Sequence, residues 1–175
     1  METFLSFMKR AEWLKKQNLN LRTIYHTNSS LSREEINALL SIDAAVETDN
    51  ASLLLDCHSN GMLPENLFLN KVGANASMLS HLYGKCRYIA QNKEEVALLD
   101  DMAQAHIQPG YLETIAIRLL PEEKDDTLFT RDNIPQFSRW IRFSQALAVR
   151  GIFVSFDQTN APFADTAKEY FSLIK

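Results

Sequence analysis

Apolar segments alternate with amphipathic stretches along this chain, and each apolar segment ends in a polar cluster. Residues 21–25 run into His26-Thr27-Asn28-Ser29, and 42–46 run into Glu47-Thr48-Asp49-Asn50. Residues 66–69 run into Asn70-Lys71, and 87–90 run into Gln91-Asn92-Lys93-Glu94-Glu95. A fifth segment, 114–120, stops at Pro121, and a sixth, 151–156, ends in Asp157-Gln158. Strand-like runs separated by helical ones predict repeated strand–helix units and parallel strands. In such folds the chemistry belongs to the polar clusters at the strand ends.

The helices have their own signals. Phe4, Phe7, Met8, Ala11 and Leu14 share one face of a helix predicted over 4–17. Ser32, with Glu35 three residues on, reads as a capping box that opens a helix through Leu40. Further helices are expected over 51–59, 75–83 and 93–105, with Asn60-Gly61 and Gly84 as terminators and Pro109-Gly110 as a turn. Strand five covers 113–120. The charged, non-periodic stretch 121–133 reads as an exposed loop, with disorder as the alternative. A helix over 134–149 precedes strand six, and a last helix covers 164–175. Six units and no composition break predict one domain over 1–175. A complete barrel of eight units takes about 250 residues. The expectation is therefore an α/β fold, either an open parallel sheet or a partial TIM-like (β/α) barrel.

Composition removes several function classes. The net charge of −4 and the scattered basic residues leave no footprint for nucleic acid. No apolar run approaches the roughly 20 residues that cross a membrane. At the N-terminus the charges follow the short apolar patch, the reverse of a signal peptide. Cys57 and Cys86 are too few for a disulfide framework. The expected setting is cytoplasmic, with reduced thiols.

Longer blocks resemble a known family. Ile42-Asp43-Ala44-Ala45-Val46-Glu47-Thr48, followed by 61–71, is similar to a run in which a strand enters "ASxGE" and "G-x-x-P-E-x-I-I-F" leads into the next strand. Residues 87–96 resemble a "D-S-x-x-E-L" segment, and Ile117-Arg118-Leu119-Leu120-Pro121 resembles "L-R-x-x-P". Pro135-Gln136-Phe137-Ser138 stands where the family has "S-K-F-G", and 151–155 where it has "G-x-H-x-H". The family is the pyridoxal-phosphate-dependent alanine racemase and ornithine/diaminopimelate decarboxylase superfamily, of fold type III. The resemblance covers about residues 5–158 and implies a barrel domain.

The chemistry of that family is poorly matched. Its Schiff-base lysine ends strand one in a "Y-A-V-K-A-N" run, and here Thr23-Ile24-Tyr25-His26-Thr27-Asn28 puts His26 in its place. Imidazole has no primary amine and forms no imine. The acid of "ASxGE" aligns with Ala51, the ring-stacking histidine with Ser155, and the aspartate of "D-S" with Gln91. The family's Gly-rich phosphate loop has no counterpart among five glycines, and neither its "E-P-G-R" strand nor its C-terminal β-domain is found in these residues.

The candidate site residues are accordingly few. His26 is a general base or metal ligand, or else a position whose chemistry has been lost. Lys71 is the alternative amine for a Schiff base, or a solvated strand-end lysine. Arg118, Ser155 and Asn28 are the cofactor-binding candidates, and Arg118 either binds an anion or pairs with a neighbouring carboxylate. Histidines and cysteines show no metal-ligand spacing. The expectation is a non-catalytic relative, a pseudoenzyme or interaction subunit with no cofactor. One alternative is a pyridoxal-phosphate-dependent decarboxylase or racemase completed by oligomerisation or a partner chain. Another is a small-anion binder using Arg118 and His26. Six units leave exposed strand edges, so self-association or a complementing chain is expected.

Overall fold

Local signals account for most helix boundaries. The computed structural model describes residues 3–16, 22–106, 110–120, 127–130, 133–134, 137 and 144–154. Helix α1 spans Phe4–Lys16 and buries Phe7 and Ala11. The capping box forms as expected at α2 (Arg33–Ser41): Ser32 Oγ accepts from Glu35 N, and Glu35 returns a carboxylate to Ser32 N. Asn50 caps α3 (Ala51–Ser59) by accepting from the backbone N–H groups of Ser52 and Leu53. Asn92 caps α5 (Lys93–Ala105) in the same way, through Glu95 N. Gly61 and Gly84 take positive φ just beyond α3 and the short α4 (Leu79–Leu82).

Six strands form one sheet in sequence order: β1 (Ile24–His26), β2 (Ala45–Thr48), β3 (Leu67–Leu69), β4 (Arg87–Ala90), β5 (Glu113–Leu119) and β6 (Leu147–Val154). Every neighbouring pair is parallel. The early strands begin later than the hydrophobic runs suggested. Ile42 is the C-cap of α2 and Asp43 turns with φ 55°, so pairing on β2 starts only at Ala45. Strand β1 starts at Ile24 and continues through His26. Asn66 belongs to a 3-10 turn opened by Pro64. The helix expected over 75–83 is a 3-10 stretch, Val72–Met78, kinked at Asn75 and continued by α4.

Two expectations in the C-terminal half need correction. Residues 147–149, placed in a helix by their apolar character, pair with β5 through Glu113↔Leu147, Thr114↔Ala148 and Ile115↔Val149. The alternation there satisfies either period, and the β5 ladder decides. Upstream, Ile134 and Phe137 do donate N–H groups to carbonyls four residues back. The loop over 121–133 is also not wholly exposed. Phe129 is buried against Phe137, and its N–H donates to Gln91 O. The helix expected over 164–175 lies outside the described residues.

Period two along the strands sorts side chains into two layers. Val46, Leu67, Leu69, Tyr88, Ile115 and Ile117 join Leu39, Leu54, Leu82, Val96 and Leu99 of the helices in one core. The alternate set, including Glu47, Phe68, Ala116, Arg118 and Phe153, faces the other way. Glu47 on β2 bonds Arg118 on β5, and the Phe68 ring of β3 meets the Phe153 ring of β6 at 5.4 Å. Each contact skips two intervening strands. The sheet is therefore curled, with the helices outside: a partial (β/α) barrel.

Glu113 is the most deeply buried carboxylate among the described residues, at 1% exposure. Burial pushes its carboxyl above the ordinary range, against the opposing pull of the Thr114 and Gly84 N–H groups, Arg87 and the Tyr111 hydroxyl. The folded state thus holds the proton more tightly than the unfolded chain. Its contribution to stability is complete below the unfolded value and fades as pH rises through the folded one. Glu113→Gln is expected to raise the melting temperature at pH 8, with a gain that shrinks towards pH 4.5. Thermal denaturation across that range checks it, and a gain independent of pH would rule the account out. Burial likewise pushes the Cys57 thiol up to about 11 and Cys86 higher still, which leaves both protonated and poorly nucleophilic.

Candidate functional site at the strand ends

The C-terminal strand ends gather a small polar cluster inside the curl. Glu47, on the inward face of β2, is buried and sits in the middle. Its Oε1 accepts from Asn70 Nδ2 at 2.9 Å and from the Arg118 guanidinium in a very short contact. Arg118 reaches it from β5, with its guanidinium 5.8 Å from the Phe153 ring centroid. Opposite charges placed this deep hold each other firmly, because water does little to screen them. The pair bridges the mouth of the curl.

His26 lies beside Glu47 in register and on the same inward face. Its Nδ1 is 3.7 Å from Glu47 Oε1, beyond hydrogen-bonding distance, and the side chain is 55% exposed. A general base needs an orienting partner within reach, and Glu47 is instead committed to Arg118 and Asn70.

The other candidates are placed away from this centre. Asn28 Oδ1 accepts from Thr48 Oγ1 at 3.3 Å and Asp49 N at 3.1 Å, so it fastens the loop after β1 to the end of β2. Lys71 follows inward-facing Asn70 and therefore turns out of the curl. It adopts φ 46°, and its Nζ donates to Asp49 Oδ2 at 3.0 Å. Asn75 ties the same loops together, donating to Asp49 O and accepting from Ala51 N. Of the two readings of Arg118, the structure has the pairing with a neighbouring carboxylate. Ser155 lies outside the described residues. His58 and His106 contact backbone carbonyls of Met62 and Met102, and His106 also stacks on Tyr83. No group of three potential metal ligands gathers among the described residues, and no described helix is long and apolar enough to cross a membrane.

Sequence reading missed Glu47 and Asn70. An acid directly after Ala45-Val46 in a buried strand was the available signal. Its partner stands 71 positions away, and only the closed curl brings the two together.

Neither a protein-family model nor a curated protein matches the sequence. Solved structures do. Diaminopimelate decarboxylase from Helicobacter pylori superposes with a TM-score of 0.73 at 15% identity, over 95% of this chain and 48% of its own. Alanine racemase from Clostridium difficile gives 0.65 at 10% identity, over 97% and 48%. Arginine decarboxylase of Paramecium bursaria Chlorella virus gives 0.67 at 9% identity, over 95% and 47%. The chain thus spans about half the length of each. At such identities the likeness establishes architecture, and the architecture is a partial TIM-like barrel of the alanine racemase fold, six parallel strands with helices outside.

Proposed function

We propose that this chain is a non-catalytic relative of the fold type III decarboxylases and racemases, acting as an interaction module. The observation that carries this reading is the inward position at the end of β1. An amine is needed there to hold the cofactor as an imine, and the chain offers the imidazole of His26. Two further features agree. The Arg118–Glu47 bridge occupies the mouth with a neutralised charge pair, and Lys71 is turned outward onto Asp49. These residues do not fit pyridoxal phosphate. The same bridge weighs against an anion site built on Arg118 and His26.

The interaction part of the reading rests on the open edges. Among the described residues, β6 pairs with β5 on one side only, and β1 with β2 on one side only. An uncovered parallel edge is a template for a further strand. The expected occupant is a second copy or a complementing polypeptide segment.

The test is chemical. Incubation with pyridoxal phosphate, reduction with borohydride and intact-mass measurement should give no stoichiometric adduct. A single full adduct would establish a reactive amine and overturn the non-catalytic reading. In that event Lys71→Met should abolish it.

A further inference from the structure

The inner face of the curl holds a cavity of about 490 Å³, lined by residues of β3 to β6. It adjoins the cluster around Glu47 through Phe153, whose ring also faces Arg118. Its wall is apolar, formed by Phe68, Ala116 and Phe153, and it carries two guanidinium groups, Arg87 and Arg150. Among the described residues neither arginine forms a hydrogen bond or an ion pair. Glu65 also borders the cavity without an ion pair to either among the described residues, so two positive side chains and one negative line it.

The placement of Arg150 has a backbone cause. The β5–β6 register runs Ile115↔Val149 and then Ala116↔Gly151, which leaves Arg150 as the extra residue of a bulge. A bulge breaks the period-two alternation and re-aims one side chain. Here it brings Arg150 to the cavity that Arg87 enters from β4. Phe68 and Phe153 are only partly buried although they face inward. Wetted aromatic rings beside two cations, of which only Arg87 feels a buried carboxylate, Glu113, leave both apolar surface and charge to be covered. The volume lies within the roughly 300–1,000 Å³ of small-molecule sites, and a mainly apolar lining with a few convergent polar groups is their usual composition.

We propose that this cavity binds a small amphipathic anion: a flat apolar body against Phe68 and Phe153, with a phosphate or carboxylate held between Arg87 and Arg150. Guanidinium groups suit such oxyanions because their paired N–H donors match two oxygens at once. The proposal stands or falls separately from the non-catalytic reading.

The experiment is calorimetric titration of the purified chain with 1-naphthyl phosphate, 1-naphthol and inorganic phosphate. The expected result is one site per chain, with naphthyl phosphate at least tenfold tighter than either fragment. Arg87→Met and Arg150→Met should each weaken it fivefold or more, while Arg33→Met, on the exposed side of α2, should leave it unchanged. Arg150 is itself exposed on an edge strand, so its replacement spares the core and keeps the test meaningful if the Arg87 variant misfolds. Equal affinity for naphthol would reduce the cavity to an apolar hole. Equal affinity for phosphate would reduce it to a cationic patch. An Arg150 variant that binds as tightly as the parent, or no binding at millimolar ligand, would overturn the proposal, the last pointing to a polypeptide segment as the natural filling.

Discussion

Glu47→Ala is expected to cost about 3–5 kcal/mol of folding stability, the range for removing one partner of a buried ion pair. The loss of Glu47 leaves the Arg118 guanidinium, whose side chain is only 19% exposed, without its carboxylate. It also removes the acceptor of Asn70 Nδ2, whose own Oδ1 already lacks a partner among the described residues. The double replacement Glu47→Leu with Arg118→Met should recover most of the loss, because desolvating the two charges offsets much of their attraction. Urea denaturation of both single variants and the double forms a complete cycle. A cost below about 1 kcal/mol for Glu47→Ala would be the value of a solvated surface pair. It would mean that the bridge does not span a dry interior, and the curled architecture would lose its main electrostatic support.

Leu54→Ala should be nearly as severe, at about 2–5 kcal/mol, through lost apolar burial and the cavity left behind. Leu54 is fully buried in α3 and belongs to the core between the helices and the outer face of the sheet. The control is Leu63→Ala. Leu63 is 56% exposed beside the same helix, and its truncation should change stability by no more than about 0.5 kcal/mol. Denaturant midpoints measured side by side decide the matter. Similar small losses at both positions would mean that α3 is loosely docked, and the layered core described above would be wrong.

Much of the fold was legible because its signals are local. The capping box at Ser32 depends on residues within three positions. The parallel order followed from strands alternating with helices, since parallel neighbours need a long crossover. Boundaries were less legible. Asp43 and Lys71 take positive φ without being glycine, so neither turn carried a recognisable signal. The opening of β6 at Leu147 is fixed by pairing to Glu113, a partner far along the chain.

The functional reading divides in the same way. The sequence by itself determined that strand one ends in an imidazole, because alignment of a short motif needs no coordinates. It also marked the strand-like segments whose alternation with helices sets the parallel order of the six described strands. Only the tertiary structure decided that Arg118 is bound to Glu47, that Lys71 turns outward to Asp49, and that Arg87 and Arg150 converge on one cavity. The first depends on curvature and the last on a bulge, which bring together residues from strands that do not pair side by side or shift the side-chain alternation, whereas Lys71 meets Asp49 across the ends of neighbouring β3 and β2. Hydrophobic pattern specifies which face of a strand is buried. It carries no term for how far the sheet bends, and the bend selects which inward residues meet.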